Sequence, residues 1–392
     1  MRLSALTARL GTETAFEVLS RARQLEARGR RVLHLELGEP DFPTPRHIRE
    51  AARRALEEGY TYYTPSAGLP ELREAIARHV SRTRGIPVDP EEVVVTPGAK
   101  PVLTFGILAL VDPGDEVIYP DPGFPIYESV IRWAGARPIP LPLREENGFR
   151  VDPEELRRLV TPRTRLLILN SPHNPCGSVL EREELRAIAE ICLEHDLFVL
   201  SDEIYSRIVY EGEHQSIVSL PGMRERTLLL DGFSKAYAMT GWRLGYGVMP
   251  RPLAEAVTRF AVNVHSCAPA MVQRAGLAAL EGPQEEVDRM VAEFRRRRDS
   301  VVAALNGLEG IRCAVPRGAF YAFPNVSALD PEGDRFAAYL LEEAGVAVLS
   351  GIAFGPSGRG HLRISYAAPL AHLEEALYRV REAARSFHTL CP

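Results

Sequence analysis

The stretch RLLILNSP, residues 165–172, is an apolar run that ends abruptly in polar residues and a proline. A run of this kind is typical of a strand that is buried on both faces of a sheet. Four further runs share the pattern, each bounded by Gly, Pro or Asp: EEVVVTPG (91–98), DEVIYPD (115–121), LFVLSDE (197–203) and RTLLLDGF (226–233). Helical segments such as EELRAIAEICLEHD (183–196) separate them. The alternation predicts an α/β fold with a mainly parallel central sheet covered by helices.

The composition limits the class of protein. The chain has 392 residues, of which 45% are hydrophobic and 25% are charged, as in an ordinary globular protein with two domains. Its formal net charge of −5 argues against a nucleic-acid partner bound by a basic surface. No window approaches the ~18 apolar residues of a membrane span, and the five cysteines form no C-x-x-C pair. We therefore expect a cytoplasmic protein without a metal site, a membrane anchor or a nucleic-acid partner.

The order of the segments predicts two domains. Residues 46–289 contain the alternating strands and helices and are expected to form the large domain. Strands in a less regular context, GIRCAVPRGAFYAFPNV and VAVLSGIAFG, follow a long helical segment and indicate a small domain over residues 290–392. The N-terminal segment, residues 1–45, is expected to pack on that small domain.

Polar residues follow each predicted strand. In open sheets of this kind, ligands bind at the carboxyl ends of the strands. After the first strand, the free N–H groups of Gly98, Ala99 and Lys100 would lie at the start of a helix, where they can bind an anion such as phosphate. An ordinary strand-to-helix turn is the commoner explanation for this piece alone.

Lys235 stands out within DGFSKAYAMTGWRLGY, residues 231–246. The chain has 47 basic residues, and all of them except Lys235 and Lys100 are arginine. Arginine forms no useful imine, whereas a lysine amine with a lowered pKa can attack a carbonyl group and move protons. The alternative is a surface lysine that drift has left in place. Lys235 is our candidate nucleophile.

Further side chains near the lysine could hold a charged cofactor. Asp202 and Tyr205 follow the strand LFVLS, where a carboxylate could bind a cationic ring nitrogen and a phenol could donate to a ring oxygen. A helix cap is an equally good explanation for Asp202. Ser234 and Arg243 suit a phosphate. Arg363, in GHLRISYA, could bind a carboxylate if it is buried, although a solvent-facing strand arginine is the commoner case.

Six motifs occur in a fixed order along the chain: GEPDFPTP, YYTPSAGLPELREAI, NSPHNPCG, SDEIY, SKAYAMTGWRLGY and GHLRISYA. In this combination the chain closely resembles the class I and II aminotransferases, fold type I enzymes that depend on pyridoxal 5′-phosphate (PLP). The resemblance extends from about Gly38 to Tyr366. Within the family the chain is most similar to the bacterial and archaeal aspartate and aromatic aminotransferases.

The resemblance implies a role for each matching residue around the cofactor ring. Lys235 would form the internal aldimine with PLP and carry the proton between the substrate α-carbon and the cofactor. Asp202 would keep the pyridine nitrogen protonated. Asn174 and Tyr205 would bind the 3-oxygen of the ring, and Phe124 would stack on its face.

The resemblance also implies which residues bind the cofactor phosphate. Ser234, Arg243 and the backbone of the segment Gly98, Ala99 and Lys100 would bind it. Tyr63 would reach the phosphate from a second subunit, which implies a homodimer whose active site is completed across the interface.

Substrate binding is implied for a third group of residues. Arg363 would bind the α-carboxylate, aided by Asn174 and the main chain of Gly38. In aspartate-using relatives, a lysine at the place of Lys100 helps to bind the distal carboxylate together with an N-terminal Ser-x-Thr-type segment. This chain has GTETAF, residues 11–16, in that region.

We therefore predict an aminotransferase that moves an amino group between an α-amino acid and a 2-oxo acid by a ping-pong mechanism. The expected oxo acid is 2-oxoglutarate, and Lys100 favours aspartate as the amino acid. An aminotransferase for aromatic or other amino acids and a PLP-dependent C–S β-lyase are the alternatives. A PLP-binding regulator would need a DNA-binding domain before Gly38, where we expect too few residues for one.

Overall fold

The computed structural model describes residues 1–390, and for residues 388–390 it describes only the backbone. Cys391 and the end of the predicted small domain lie outside the described residues. The strands are β1 Leu33–His34, β2 Val93–Thr96, β3 Glu116–Asp121, β4 Arg137–Pro142, β5 Thr164–Asn170, β6 Phe198–Asp202, β7 Thr227–Gly232, β8 Gly245–Val248, β9 Tyr321–Ala322, β10 Val346–Ala347, β11 Leu349–Ser350 and β12 Leu362–Ser365. The helices are α1 Thr14–Ala27, α2 Arg46–Glu57, α3 Pro70–Arg84, α4 Lys100–Leu110, α5 Ile126–Trp133, α6 Pro153–Leu159, α7 Arg182–Glu194, α8 Arg251–Val264, α9 Ala270–Glu281, α10 Glu285–Asn306, α11 Asp334–Tyr339 and α12 Leu370–Leu390.

Within the described residues, a seven-stranded sheet has the strand order β2-β8-β7-β6-β5-β3-β4. Strand β8 is antiparallel to its neighbours β2 and β7, and the other neighbouring strands are parallel. Strands β3 and β7 are buried along their whole length, as their apolar runs require. The predicted α/β class with a mainly parallel central sheet is confirmed.

Helices cover both faces of this sheet. Leu228 and Leu230 of β7 lie in one core cluster with residues of α4 and α8, whereas Leu229 lies in another with residues of α3 and α9. Successive side chains of a strand point to opposite faces, so this division shows that β7 is buried from both sides. The two layers of helices hold the strand ends of the sheet in place.

The described C-terminal part of the chain contains two smaller sheets. Strands β11, β12 and β9 form an antiparallel sheet, and β1 pairs in parallel with β10 through Leu33 and Val346. Thus a strand from the predicted segment 1–45 pairs with a strand from the C-terminal part. Helix α2 begins at Arg46, but α10 continues across residue 289. The boundaries at 45 and 289 stay predictions.

The polar residues predicted at the strand ends lie at one edge of the central sheet. Asn170 and Asp202 are register partners in β5 and β6. Strand β7 ends at Gly232, immediately before the segment that contains Ser234 and Lys235. Among residues 1–390, no helix is long and apolar enough to cross a membrane.

Candidate active site

A cavity of about 510 Å³ opens at this edge of the sheet. Segments from the N-terminus, the central sheet and strand β12 contribute to its wall. Most of the residues that we predicted from the sequence line it, namely Gly38, Ala99, Lys100, Phe124, Asn174, Asp202, Tyr205, Ser234, Lys235, Arg243 and Arg363. Of the other two predicted residues, Gly98 is buried next to Arg243, and Tyr63 is 88% exposed on the surface.

The Lys235 amine projects into the cavity and donates a hydrogen bond to the carbonyl oxygen of Gly38. Burial of the amine, together with the positive charges of Arg363 and Arg243, lowers the pKa of Lys235 to about 8. A minor neutral fraction, roughly a tenth, is therefore present at pH 7, far more than for a lysine with an ordinary pKa. The neutral amine is the form that attacks a carbonyl group.

Asp202 lies at the end of β6 with its carboxylate fully buried. Burial raises the pKa of Asp202 to about 6, although a hydrogen bond from the Tyr127 hydroxyl opposes this rise. The distance from the Tyr127 hydroxyl to Oδ2 of Asp202 is 2.7 Å, and the N–H of Ile204 donates to Oδ1 at 3.2 Å. The carboxylate is thus oriented, ionised at neutral pH and able to bind a cationic ring nitrogen. Sequence reasoning missed Tyr127, which no motif distinguishes from other aromatic residues.

Tyr205 lies beside a second tyrosine that sequence reasoning also missed. The hydroxyl oxygens of Tyr205 and Tyr321 are 2.8 Å apart, and both side chains are buried. Burial raises the pKa of Tyr205 well above its usual value, so the phenol keeps its proton and can donate it in a hydrogen bond. A Cβ at Gly38 would lie 1.9 Å from the Tyr321 hydroxyl, so the close approach of this backbone requires glycine.

Arg363 is buried, and part of its guanidinium is not hydrogen-bonded to the described part of the protein. One Nη donates to Oδ1 of Asn174 at 3.1 Å, and the other donates to the backbone oxygen of Glu36. The rings of Tyr321 and Phe354 lie 4.5 Å and 4.9 Å from its Cζ atom. Its Nε is buried and has no hydrogen-bond partner among the described residues. A carboxylate ligand would satisfy this donor.

The turn between β2 and α4 approaches Arg243. Gly98 has a φ of +80°, and a Cβ at this position would lie 2.1 Å from Nη2 of Arg243. Arg243 also donates to the backbone oxygen of Thr240 at 2.9 Å. The N-terminus of α4 at Lys100 and the buried Ser234 line the same cavity as Arg243. Together these donors form an anion cradle.

Lys100 has a partner that the sequence did not reveal. Its Nζ forms an ion pair with the carboxylate of Glu13, which also lines the cavity. The same Nζ lies 5.6 Å from the centre of the Phe124 ring. Glu13 belongs to the segment GTETAF, where the sequence departs from the pattern of aspartate-using relatives. No signal in the sequence pairs these two positions, which are 87 residues apart.

The fold and the cavity are those of a PLP-dependent aminotransferase, and the chain belongs to the family of class I and II aminotransferases, whose profile matches residues 30–380. The chain is 41% identical over 370 residues to aspartate aminotransferase from Pyrococcus horikoshii, covering 94% of this chain and 93% of that protein. It is 42% identical to an arginine–pyruvate transaminase from Pseudomonas aeruginosa, covering 97% of each. The structure of aspartate aminotransferase from Thermus thermophilus with maleate matches with a TM-score of 0.93 at 41% identity, covering 98% of this chain and all of that one.

The residues of the cavity fit PLP. The glycine turn at Gly98 and Arg243 leaves a cradle for the phosphate, and Lys235 offers an amine of lowered pKa. Asp202 offers an oriented carboxylate at the depth of the cavity. When bound, PLP supplies an aldehyde for the lysine and an electron-withdrawing ring that stabilises negative charge at the substrate α-carbon.

Proposed function

We propose that this aminotransferase works by a ping-pong mechanism, with 2-oxoglutarate as the amino-group acceptor and aspartate as a donor. The observation that carries the proposal is the buried Arg363, whose Nε lacks a partner and which lies in the same cavity as Lys235. An α-carboxylate is common to every amino acid and 2-oxo acid. One arginine can therefore bind the substrates of both half-reactions in turn.

Each residue near Lys235 has a proposed task. Lys235 would take the proton from the substrate α-carbon and carry it during the transfer, because a neutral amine of pKa about 8 can act as a base. Asp202 keeps a proton on the ring nitrogen, and Tyr127 orients Asp202. Tyr205 would donate to the ring oxygen, and Asn174, whose Oδ1 accepts a hydrogen bond from Arg363, would bind the same oxygen.

Relatives of this chain are named for more than one amino-group donor, including aspartate and arginine. The T. thermophilus structure holds maleate, a dicarboxylate. Relatives at similar identity are thus named for an acidic and for a basic donor, so the choice of donor must depend on particular side chains of the cavity. Our preference for aspartate depends on Lys100, which in this chain is ion-paired with Glu13.

We further propose a cytoplasmic homodimer. The exposed aromatic residues Tyr62 and Tyr63, at 84% and 88% exposure, support a subunit interface in this region. Four cysteines among the described residues are free, namely Cys176, Cys192, Cys267 and Cys313, as expected in a reducing compartment.

Initial-velocity kinetics test the proposed mechanism. Aspartate is varied at several fixed concentrations of 2-oxoglutarate, and the double-reciprocal lines are expected to be parallel. Parallel lines arise because the first product leaves before the second substrate binds. Intersecting lines would show that both substrates bind together and would contradict a ping-pong mechanism.

A further inference from the structure

The ion pair between Glu13 and Lys100 lies at the wall of the cavity that also holds Lys235 and Arg363. The side chain of Glu13 is 18% exposed and that of Lys100 is 46% exposed. Both residues line the cavity, and Lys100 Nζ lies over the ring of Phe124. A substrate side chain that extends towards Phe124 therefore meets this ion pair.

The backbone around Glu13 is fixed by contacts on both sides. The N–H of Gly11 donates to the hydroxyl of Ser129 in α5 at 2.9 Å. On the other side, Ala15 and Val18 pack against a core cluster of buried residues. Glu13 is thus presented to the cavity by an anchored segment, and its carboxylate makes no side-chain cap for α1.

The other cationic side chains of the cavity already have proposed tasks, so Lys100 is the cation that a second substrate carboxylate can reach. Under the proposed function, Arg243 binds the cofactor phosphate, Arg363 binds the α-carboxylate and Lys235 acts on the α-carbon. Of the cationic side chains that line the cavity in the described part of the chain, Lys100 is left for a second carboxylate. Glu13 neutralises that cation in the absence of such a substrate.

We propose that Glu13 competes with the distal carboxylate of an acidic substrate for Lys100 and so sets the preference between acidic and neutral substrates. A neutral side chain leaves the ion pair closed. An acidic side chain must displace the Glu13 carboxylate, at a cost in binding. Glu13 is in this account a specificity-determining residue, and the proposal rests on the proposed function.

The first test compares substrates of the same shape and different charge. In the holoenzyme, Glu13→Gln is expected to raise the ratio of kcat/KM for aspartate to that for asparagine by about fivefold, the size of one partly exposed ion pair. The glutamate to glutamine ratio should rise likewise. The matched control is Glu17→Gln on the exposed surface of α1, which should leave both ratios unchanged.

The second test measures binding without turnover. Isothermal titration calorimetry of the holoenzyme compares succinate, a dicarboxylate, with its monoamide succinamate, a monocarboxylate. Neither ligand has an amino or oxo group on the α-carbon, so neither can react. Glu13→Gln is expected to lower the dissociation constant of succinate about fivefold relative to that of succinamate. This result stands even if the wild-type enzyme transfers no amino group, so a failure of the proposed function is distinguishable from a failure of this proposal.

A third variant identifies the cation. Lys100→Met is expected to lower the aspartate to asparagine ratio and to weaken succinate relative to succinamate, because the distal carboxylate loses its partner. The proposal is overturned if Lys100→Met leaves these ratios unchanged. It is equally overturned if Glu13→Gln changes the charged and neutral members of each pair to the same extent, since Glu13 would then have only a structural role.

Discussion

At the scale of single residues, the identity of the amine at position 235 is the strictest requirement of the site. Lys235→Arg retains a positive charge but forms no imine, so transamination is expected to fall on the order of 10³-fold or more. Lys235→Ala should also lose the long-wavelength absorbance of the bound cofactor. Absorbance spectra and activity of the purified variants check both statements.

The other lysine of the chain provides the matched control for this experiment. Lys100→Arg keeps the charge beside Glu13 and should retain the long-wavelength absorbance. Transamination that survives Lys235→Arg would remove Lys235 from its proposed role.

The lowered pKa of Lys235 predicts how cofactor binding depends on pH. The amine is protonated and unreactive below about 8 and neutral above it. The rate at which the apoenzyme takes up PLP, followed by absorbance, should therefore rise with pH and level off above about 8. Arg363→Met removes a positive charge that lowers this pKa, so the same curve should shift to higher pH. A curve that keeps its midpoint in this variant would contradict the electrostatic assignment.

At the scale of elements, a buried ionic network joins the two strand ends that carry the site. Arg84 at the end of α3 binds Glu203, next to Asp202, at 2.8 Å and Asp231, at the end of β7, at 3.1 Å. All three charged side chains are buried. This network ties α3 to the ends of β6 and β7 and thereby holds Asp202 and Lys235 in register.

Arg84→Met removes the guanidinium that the two buried carboxylates share, while Glu203 keeps its contact with His214 at 2.8 Å. We expect the free energy of unfolding to fall by about 3–5 kcal/mol, because a buried charge that loses its partner is strongly destabilising. Urea denaturation followed by circular dichroism measures the change. Arg82→Met, at an exposed position of the same helix, should change stability by less than about 0.5 kcal/mol.

The elements were more predictable from the sequence than the contacts between side chains. Apolar runs that end in polar residues predict buried strands and place Asp202 and Lys235 at the same edge, because parallel strands share one direction. Tyr127 is 75 residues from its partner Asp202, and Tyr321 is 116 residues from Tyr205. Such pairs depend on the tertiary fold, and no local pattern marks them. Glu13 was missed for the same reason.

At the scale of the whole molecule, Tyr63 lies outside the cavity of its own chain. The proposed dimer predicts that Tyr63 acts on the phosphate bound by the other subunit. Heterodimers of Lys235→Ala and Tyr63→Ala chains, purified through two different tags, would then contain one intact site. Their activity should reach about half that of the wild-type dimer, far above either variant alone. No recovery in the heterodimer would place Tyr63 outside the active site of the partner.

The transfer of an amino group in two separate half-reactions is the central property proposed for this enzyme. The most direct measurement mixes the holoenzyme with aspartate alone, without any oxo acid, and quantifies products and cofactor by mass spectrometry. We predict one equivalent of 2-oxo acid per site, with the amino group retained on the cofactor and no free ammonia. No 2-oxo acid from aspartate, together with pyruvate and ammonia released over many turnovers from an S-substituted cysteine with the cofactor unchanged, would contradict amino-group transfer and indicate a C–S β-lyase.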